Sequence, residues 1–249
     1  MDRRFGGLSR LYGLSGAQRI HHAHVAVIGI GGVGSWAVEC LARSGVGQLT
    51  LIDMDHVSES NINRQLHALT DTLGQSKAGA MQARIHQINP ACQTHVVDDF
   101  ITADNCQTML TGHYDAVIDA CDQVSAKVAL AVWAMQNNTR LVMVGAAGGK
   151  KQGHLVDMAD LAFATHDPLL AQVRQRLRRH HNAPSASNAF GVHSVFSKEK
   201  VLMPSRAETS SVSNTLNCNG FGSSVTVTAT FGNCAAGWVL NQLACESGF

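Results

Sequence analysis

Residues 24–55 read HVAVIGIGGVGSWAVECLARSGVGQLTLIDMD, and the order of patterns in this stretch decides the fold. An apolar run from Val25 to Ile30 ends in Gly29-Ile30-Gly31-Gly32-Val33-Gly34. A helical pattern follows, with Val33, Trp36, Ala37, Cys40 and Leu41 on one face. A second apolar run, Leu49-Thr50-Leu51-Ile52, ends at Asp53. Strand, glycine loop, helix and acid-tipped strand make one nucleotide-binding βαβ unit. Gly29 permits the tight exit from the strand. Gly31 and Gly32 let a phosphate approach the backbone, and Gly34 lets helix and strand pack closely. The start of the helix offers free N–H groups and a partial positive charge to that phosphate. Asp53 lies about twenty residues further on, where a carboxylate can accept hydrogen bonds from a ribose. A glycine pattern alone would say little; the flanking strands, the helix and the acid make it specific. It does not choose the nucleotide.

Downstream, the segment from Met54 to Gln65 is too polar and uneven for core and begins where the second strand ends. Loops at that edge of a doubly wound sheet line its ligand crevice. Asn61 can donate and accept there, and the guanidinium of Arg64 suits phosphate. From Ser76 a helix runs to Asn89-Pro90. Lys77 falls in its first turn, an unfavourable place for a cation beside the helix dipole. It either points at a polyphosphate or sits solvated on the surface. Further strands are predicted at 94–97, 115–119 and 140–144, with a helix over about 103–111 and another from about Val124. Asp122 falls just past the fourth strand, at the same edge as the glycine loop and Asp53, where a carboxylate can hold Mg²⁺ against phosphates. Five strands alternating with helices predict an α/β, Rossmann-like, mostly parallel sheet covered on both faces.

Beyond Lys150 the alternation fades into a less regular extension. A helix within 160–179 carries Arg174, Arg176, Arg178 and Arg179, followed by His180-His181. It is either a solvated face or a contact for RNA phosphates. Val192 to Met203 reads as a hairpin. Residues 225–231 fit a strand by their β-branched content, whereas 237–243 look helical, so that segment stays open between the two. The expected organisation is a single domain over 1–249, with a nucleotide-binding core at about 20–150 and a substrate-side extension at about 151–249.

Composition bounds the function. The chain has 249 residues, 45% of them hydrophobic, enough to bury a substantial core. A formal net charge of +1 gives no overall pull toward nucleic acid, so any basic surface must be local. Seven cysteines without a CxxC pair fit reduced thiols in a cytoplasmic protein. The N-terminal MDRRFGG leads into no apolar stretch that would make a signal peptide. The apolar run from Val225 to Ala244 is interrupted by Gly232, Asn233, Gly237 and Asn241, which favours buried elements over a membrane span.

Together, Gly29-x-Gly31-Gly32-x-Gly34, Asp53-x-Asp55, Asn61-x-x-Arg64-Gln65, Lys77 and Asp119-x-x-Asp122 resemble the adenylating domain of ubiquitin-activating enzymes and their bacterial relatives. The resemblance covers roughly residues 10–150. It implies ATP and Mg²⁺: Gly32 and Asp53 on the adenosine, Asn61, Arg64 and Lys77 on the phosphates, and Asp122 on the metal. It also implies a homodimer in which an arginine crosses from the partner subunit. That motif is blurred here, so Arg10 is a candidate only. A narrower resemblance rests on RFGGLSRLYG, Asn63-Arg64-Gln65-x-His67-Ala68, Val97-Asp98-Asp99-Phe100, Asp167-Pro168-Leu169, Val195-Phe196-Ser197 and Val227-Thr228-Ala229-Thr230-Phe231-Gly232. It points to the tRNA threonylcarbamoyladenosine dehydratases and spans nearly the whole chain. That branch implies adenylation of the threonyl carboxylate of a modified tRNA adenosine by ATP, release of pyrophosphate, and closure of the side chain with loss of AMP.

Three other functions compete with this one. Activation of a sulfur-carrier or ubiquitin-like tail would keep the same residues, but the paired CxxC zinc motifs common there are missing. An NAD-dependent oxidoreductase would use the glycines and leave Asn61, Arg64, Lys77 and Asp122 without a task. A nucleotide-binding scaffold for a sulfur-transfer protein partner would need no intact phosphate site. Were a thioester formed, Cys218 in Asn217-Cys218-Asn219-Gly220 would be the candidate.

Overall fold

The computed structural model describes residues 3–185, 187–202 and 221–245. The glycine motif sits as its spacing requires. Strand β1 (His24–Ile28) leads through the loop into α2 (Gly34–Arg43) and back into β2 (Gln48–Ile52), while α1 (Gly6–His22) precedes the unit. Then follow α3 (Lys77–Ile88), β3 (Gln93–Val97), α4 (Cys106–Met109), β4 (Ala116–Asp119), α5 (Val124–Asn137) and β5 (Leu141–Val144). The extension supplies β6 (Val156–Asp160), α6 (Pro168–His180), β7 (His193–Ser197) and α7 (Val225–Ala244).

The seven strands lie in the order β3-β2-β1-β4-β5-β7-β6, all parallel except β6. Register aligns the functional ends: Ile28 faces Ile52 on one side and Asp119 on the other. Glycine loop, Asp53 and the turn after β4 therefore share one edge. The chain reverses its winding between β1 and β4, the switch point where doubly wound sheets leave a crevice. Alternating side chains divide the core. Val25, Val27 and Ile118 pack under α2, α3 and α7. Ala26, Ile28, Val117 and Met143 pack under α5 and α6.

The structure corrects two expectations, the hairpin and the helix over 103–111, and settles residues 225–231, which stood open between strand and helix. No hairpin forms within the described part of 192–203: β7 pairs antiparallel with β6, some 35 residues upstream, Asp160 facing His193. Residues 225–231 are helical. Ser224 caps α7 by accepting from Thr226 N–H, and Val227, Phe231, Ala235 and Val239 repeat at i+4 on a buried face. The burial of that stripe on α2 outweighs the strand preference of its β-branched residues. Gly232 makes the contact possible, because a Cβ there would meet Val33 O at 2.5 Å. The helix predicted over 103–111 shrinks to the single turn of α4. No helix of the described residues is long and apolar enough to cross a membrane.

Candidate active site

At the switch point lies a cleft of about 560 Å³, within the usual range for small-molecule sites. Gly29, Gly31, Gly32, Asp53, Asn61, Arg64, Gln65, Lys77 and Asp122 all line it. Gly34 stands behind them at the start of α2. A Cβ on Gly34 would fall 1.8 Å from Gly29 O, and Gly29 itself has φ +83° with Ala120 C 2.9 Å from any Cβ. The loop can therefore close only with glycine at both positions.

Asp53 ties the two strand ends together. Its Oδ2 accepts from Ile30 N–H at 2.6 Å and its Oδ1 from Asp55 N–H at 2.8 Å. Burial pushes this carboxyl up, against the pull of Lys77 and of those two donors. Lys77 is buried, not solvated, and its Nζ meets Asp55 Oδ2 at 2.6 Å inside the cleft. Arg64 is held both by its backbone carbonyl and by one nitrogen of its guanidinium. Its carbonyl accepts from Trp36 Nε1 of α2 (3.0 Å) and Thr228 Oγ1 of α7 (3.3 Å), while Nη1 donates to Ser60 O and Asn63 Oδ1. Asn61 accepts from Ser58 N–H through Oδ1, which orients its amide. Gln65 is buried with Oε1 lacking a hydrogen-bond partner among the described residues. Such an orphaned acceptor facing a polar cleft suits a donor on a bound nucleotide.

Under the turn after β4, Lys127 Nζ lies 3.1 Å from Asp119 Oδ1, both side chains fully buried. The same Oδ1 accepts from Cys121 N–H and is 2.7 Å from Cys121 Sγ. This pair sets the turn that carries Asp122. Burial and the neighbouring Asp119 push the Cys121 thiol well above its ordinary range, so it is a poor nucleophile. Asp122 itself is exposed. Among the described residues no group of three or more His, Cys, Asp or Glu could hold a metal. Mg²⁺ fits Asp122 in the way it usually binds nucleotide sites, through one or two carboxylates plus phosphate oxygens and water.

Arg10 does not reach this cleft: it is exposed on α1, which packs on α7. Cys218 lies outside the described residues. Sequence reasoning assigned no role to Asp55, Asp99, Cys121 or Thr228, which also line the cleft. Nor did it assign one to the buried Lys150–Asp167 pair, 3.5 Å apart, although Asp167 Oδ2 also accepts from Ala146 N–H in the cleft wall. Burial pulls the Lys150 ammonium down against Asp167. Asp55, Asp99, Asp167 and Thr228 fall within the motifs that carry the resemblance; Lys150, with its partner seventeen residues away, gives no local signal.

Fold and cleft define a nucleotide-binding α/β protein, with Arg64 and Lys77 among the residues lining the cleft. The chain belongs to the ThiF family, whose model matches residues 3–244. Within reach of that family, it is 44% identical to the tRNA threonylcarbamoyladenosine dehydratase of Haemophilus influenzae, over 97% of this chain and 94% of that protein. The solved Escherichia coli tRNA N6-threonylcarbamoyladenosine dehydratase in complex with ATP superposes with a TM-score of 0.88 at 44% identity. That match covers 97% of this chain and 93% of the other. Its complex with AMP matches with a TM-score of 0.87. The molybdopterin-synthase adenylyltransferase of Salmonella typhimurium is 36% identical, over 47% of this chain and 47% of its own length.

Proposed function

We propose that this protein is an ATP-dependent tRNA threonylcarbamoyladenosine dehydratase. The observation that carries the reading is the near-complete match, by sequence and by fold, to dehydratases whose solved forms hold ATP and AMP. The match to a carrier-activating adenylyltransferase stops at about half the chain.

The chemistry follows from the substrate. A carboxylate is a poor electrophile because oxide is a poor leaving group. An oxygen of the threonyl carboxylate attacks the α-phosphorus of ATP; the bond to the β-phosphate oxygen breaks and pyrophosphate leaves. The carbamoyl group of the same side chain then closes on the activated carbonyl, and AMP leaves. The product is one water lighter. No base is needed for the first step, since the carboxylate is already ionised. Arg64 and Lys77 offset the negative charge of both reactants, the type of preorganised electrostatic help that phosphoryl transfer relies on. Gly32 and Asp53 receive the adenosine end, with Gly29, Gly31, Asn61 and Gln65 completing the cradle. Mg²⁺ on Asp122, when bound, supplies further charge neutralisation at the phosphates. Ring closure is intramolecular, so proximity contributes much of the acceleration and no thiol relay is required.

The assignment includes a cytoplasmic homodimer of single-domain chains, with Arg10 offered to the partner's site, and a sulfur-transfer protein as a further partner. Measuring AMP release from ATP tests the reaction: it should require tRNA bearing threonylcarbamoyladenosine. Release that responds only to a ubiquitin-like carrier would replace the tRNA substrate with a protein one.

A further inference from the structure

Helix α6 begins at the cleft and ends in a concentration of positive charge. Its N-cap Asp167 is hydrogen-bonded to Ala146 of the cleft wall, and Leu169 lines the cleft. Ten residues further on stands Arg179, about 15 Å along the axis at 1.5 Å per residue. The inner face, Leu169, Leu170, Val173 and Leu177, is buried in the core. On the outer face Ala171, Arg174, Gln175, Arg178 and Arg179 share a shallow concavity.

These arginines are not arranged as a plain solvated face. Arg174 is anchored, its Nη1 donating to Ala164 O at 2.7 Å. Arg178 lies over the Phe190 ring, 5.2 Å from its centroid. Arg179 is exposed on the same face, and Arg176 is exposed on the flank of the helix, three residues before Arg179. None of the four makes an ion pair among the described residues. Burial first, and then the adjacent charge of Arg178, pull Arg174 down against the raising influence of Asp167. A helix C-terminus favours cations in its last turn, which accounts for Arg178 and Arg179 but not for Arg174 and Arg176 before it. In a chain of net charge +1, the cluster marks a place where negative charge is to arrive.

We infer that the outer face of α6 is the track on which the RNA backbone lies, its arginines gripping phosphates next to the adenosine held in the cleft. This rests on tRNA being the substrate. Anchored Arg174 and Arg178 supply rigid forks, and Arg176 and Arg179 supply long-range attraction. Phosphate contacts of this kind fix position and register without reading sequence.

The test uses the full chain with Arg176→Glu and Arg179→Glu together, exposed positions whose change leaves the packing intact. The control carries Lys151→Glu with Lys200→Glu, the same change in charge on exposed residues elsewhere. Two quantities are read: binding of an unmodified tRNA transcript without ATP, across a salt series, and KM and kcat for dehydration of the modified tRNA. The arginine variant should weaken transcript binding and raise the tRNA KM by roughly tenfold or more. The slope of log affinity against log salt should shrink by roughly one to two. Its kcat at saturation and KM for ATP should match the wild type, and the control should shift neither tRNA quantity. Unchanged binding and KM in the arginine variant, or an equal loss in the control, overturns the inference and leaves the reaction standing. A wild type that neither binds the transcript nor dehydrates modified tRNA overturns the reaction itself, and the track with it.

Discussion

Replacing Lys127 with methionine probes how the cleft is supported. The lysine ammonium sits 3.1 Å from Asp119 Oδ1 and 3.4 Å from Asp119 O, with both side chains fully buried. Methionine keeps much of the stem's volume and removes the charge. What remains is a buried carboxylate whose Oδ2 already lacks a partner among the described residues. Removing one member of a buried ion pair typically costs about 3–5 kcal/mol. That is a large share of the 5–15 kcal/mol by which domains are stable. Urea unfolding at neutral pH should show a loss in this range. Adding Asp119→Asn removes the stranded charge and keeps an acceptor for Cys121 N–H, so the double variant should recover about half of the loss or more. Calorimetric titration with ATP should weaken in the single variant, because the turn carrying Asp122 hangs on the same carboxylate. A loss below about 1 kcal/mol, the worth of an exposed pair, would refute the reasoning, as would a double variant less stable than the single one.

Lys77→Met should lower AMP formation by about 10²–10³-fold while barely moving the melting temperature, since the side chain of its partner Asp55 is 55% exposed; full activity would remove Lys77 from the mechanism. His67 is buried with neither ring nitrogen hydrogen-bonded among the described residues, and burial, with Lys77 nearby, pulls it down to about 4. Its neutral form is the one the fold accepts, so its contribution is complete above pH 6.5 and is lost as pH falls toward 4, by about 3 kcal/mol. His67→Gln should flatten the urea midpoint across that window, and an unchanged pH profile would show that His67 does not set it. Gly34→Ala places a methyl 1.8 Å from Gly29 O; ATP affinity should collapse with a stability loss of about 1–3 kcal/mol, whereas wild-type affinity would mean that the loop closes differently.

The nucleotide half was legible because its signals are local. Gly29 to Gly34 and Asp53 sit within one βαβ unit, and their spacing alone fixes the edge at which β1, β2 and β4 end. The first five strands lie within two residues of their expected limits. The extension was harder for physical reasons. Strand β6, Val-Asp-Met-Ala-Asp, is an edge strand with every residue part-exposed, so it shows no hydrophobic alternation. Its partner β7 looked like the first arm of a hairpin because pairing across 35 residues leaves no mark in either segment. In α7 the i+4 stripe from Val227 to Val239 was present, but a run of β-branched residues concealed it. Buried charges were least visible of all. Lys127 and Lys150 read as ordinary polar positions, and only the folded arrangement shows each one paired with an aspartate in the core.

The most direct test of the central claim is mass analysis of nucleosides digested from tRNA carrying threonylcarbamoyladenosine, after incubation with this protein, ATP and Mg²⁺. The account predicts that the modified adenosine loses one water, with one AMP and one pyrophosphate formed for each. An unchanged nucleoside mass, with ATP–pyrophosphate exchange appearing only when a ubiquitin-like carrier is added, would contradict it and move the same cleft to the activation of a protein tail.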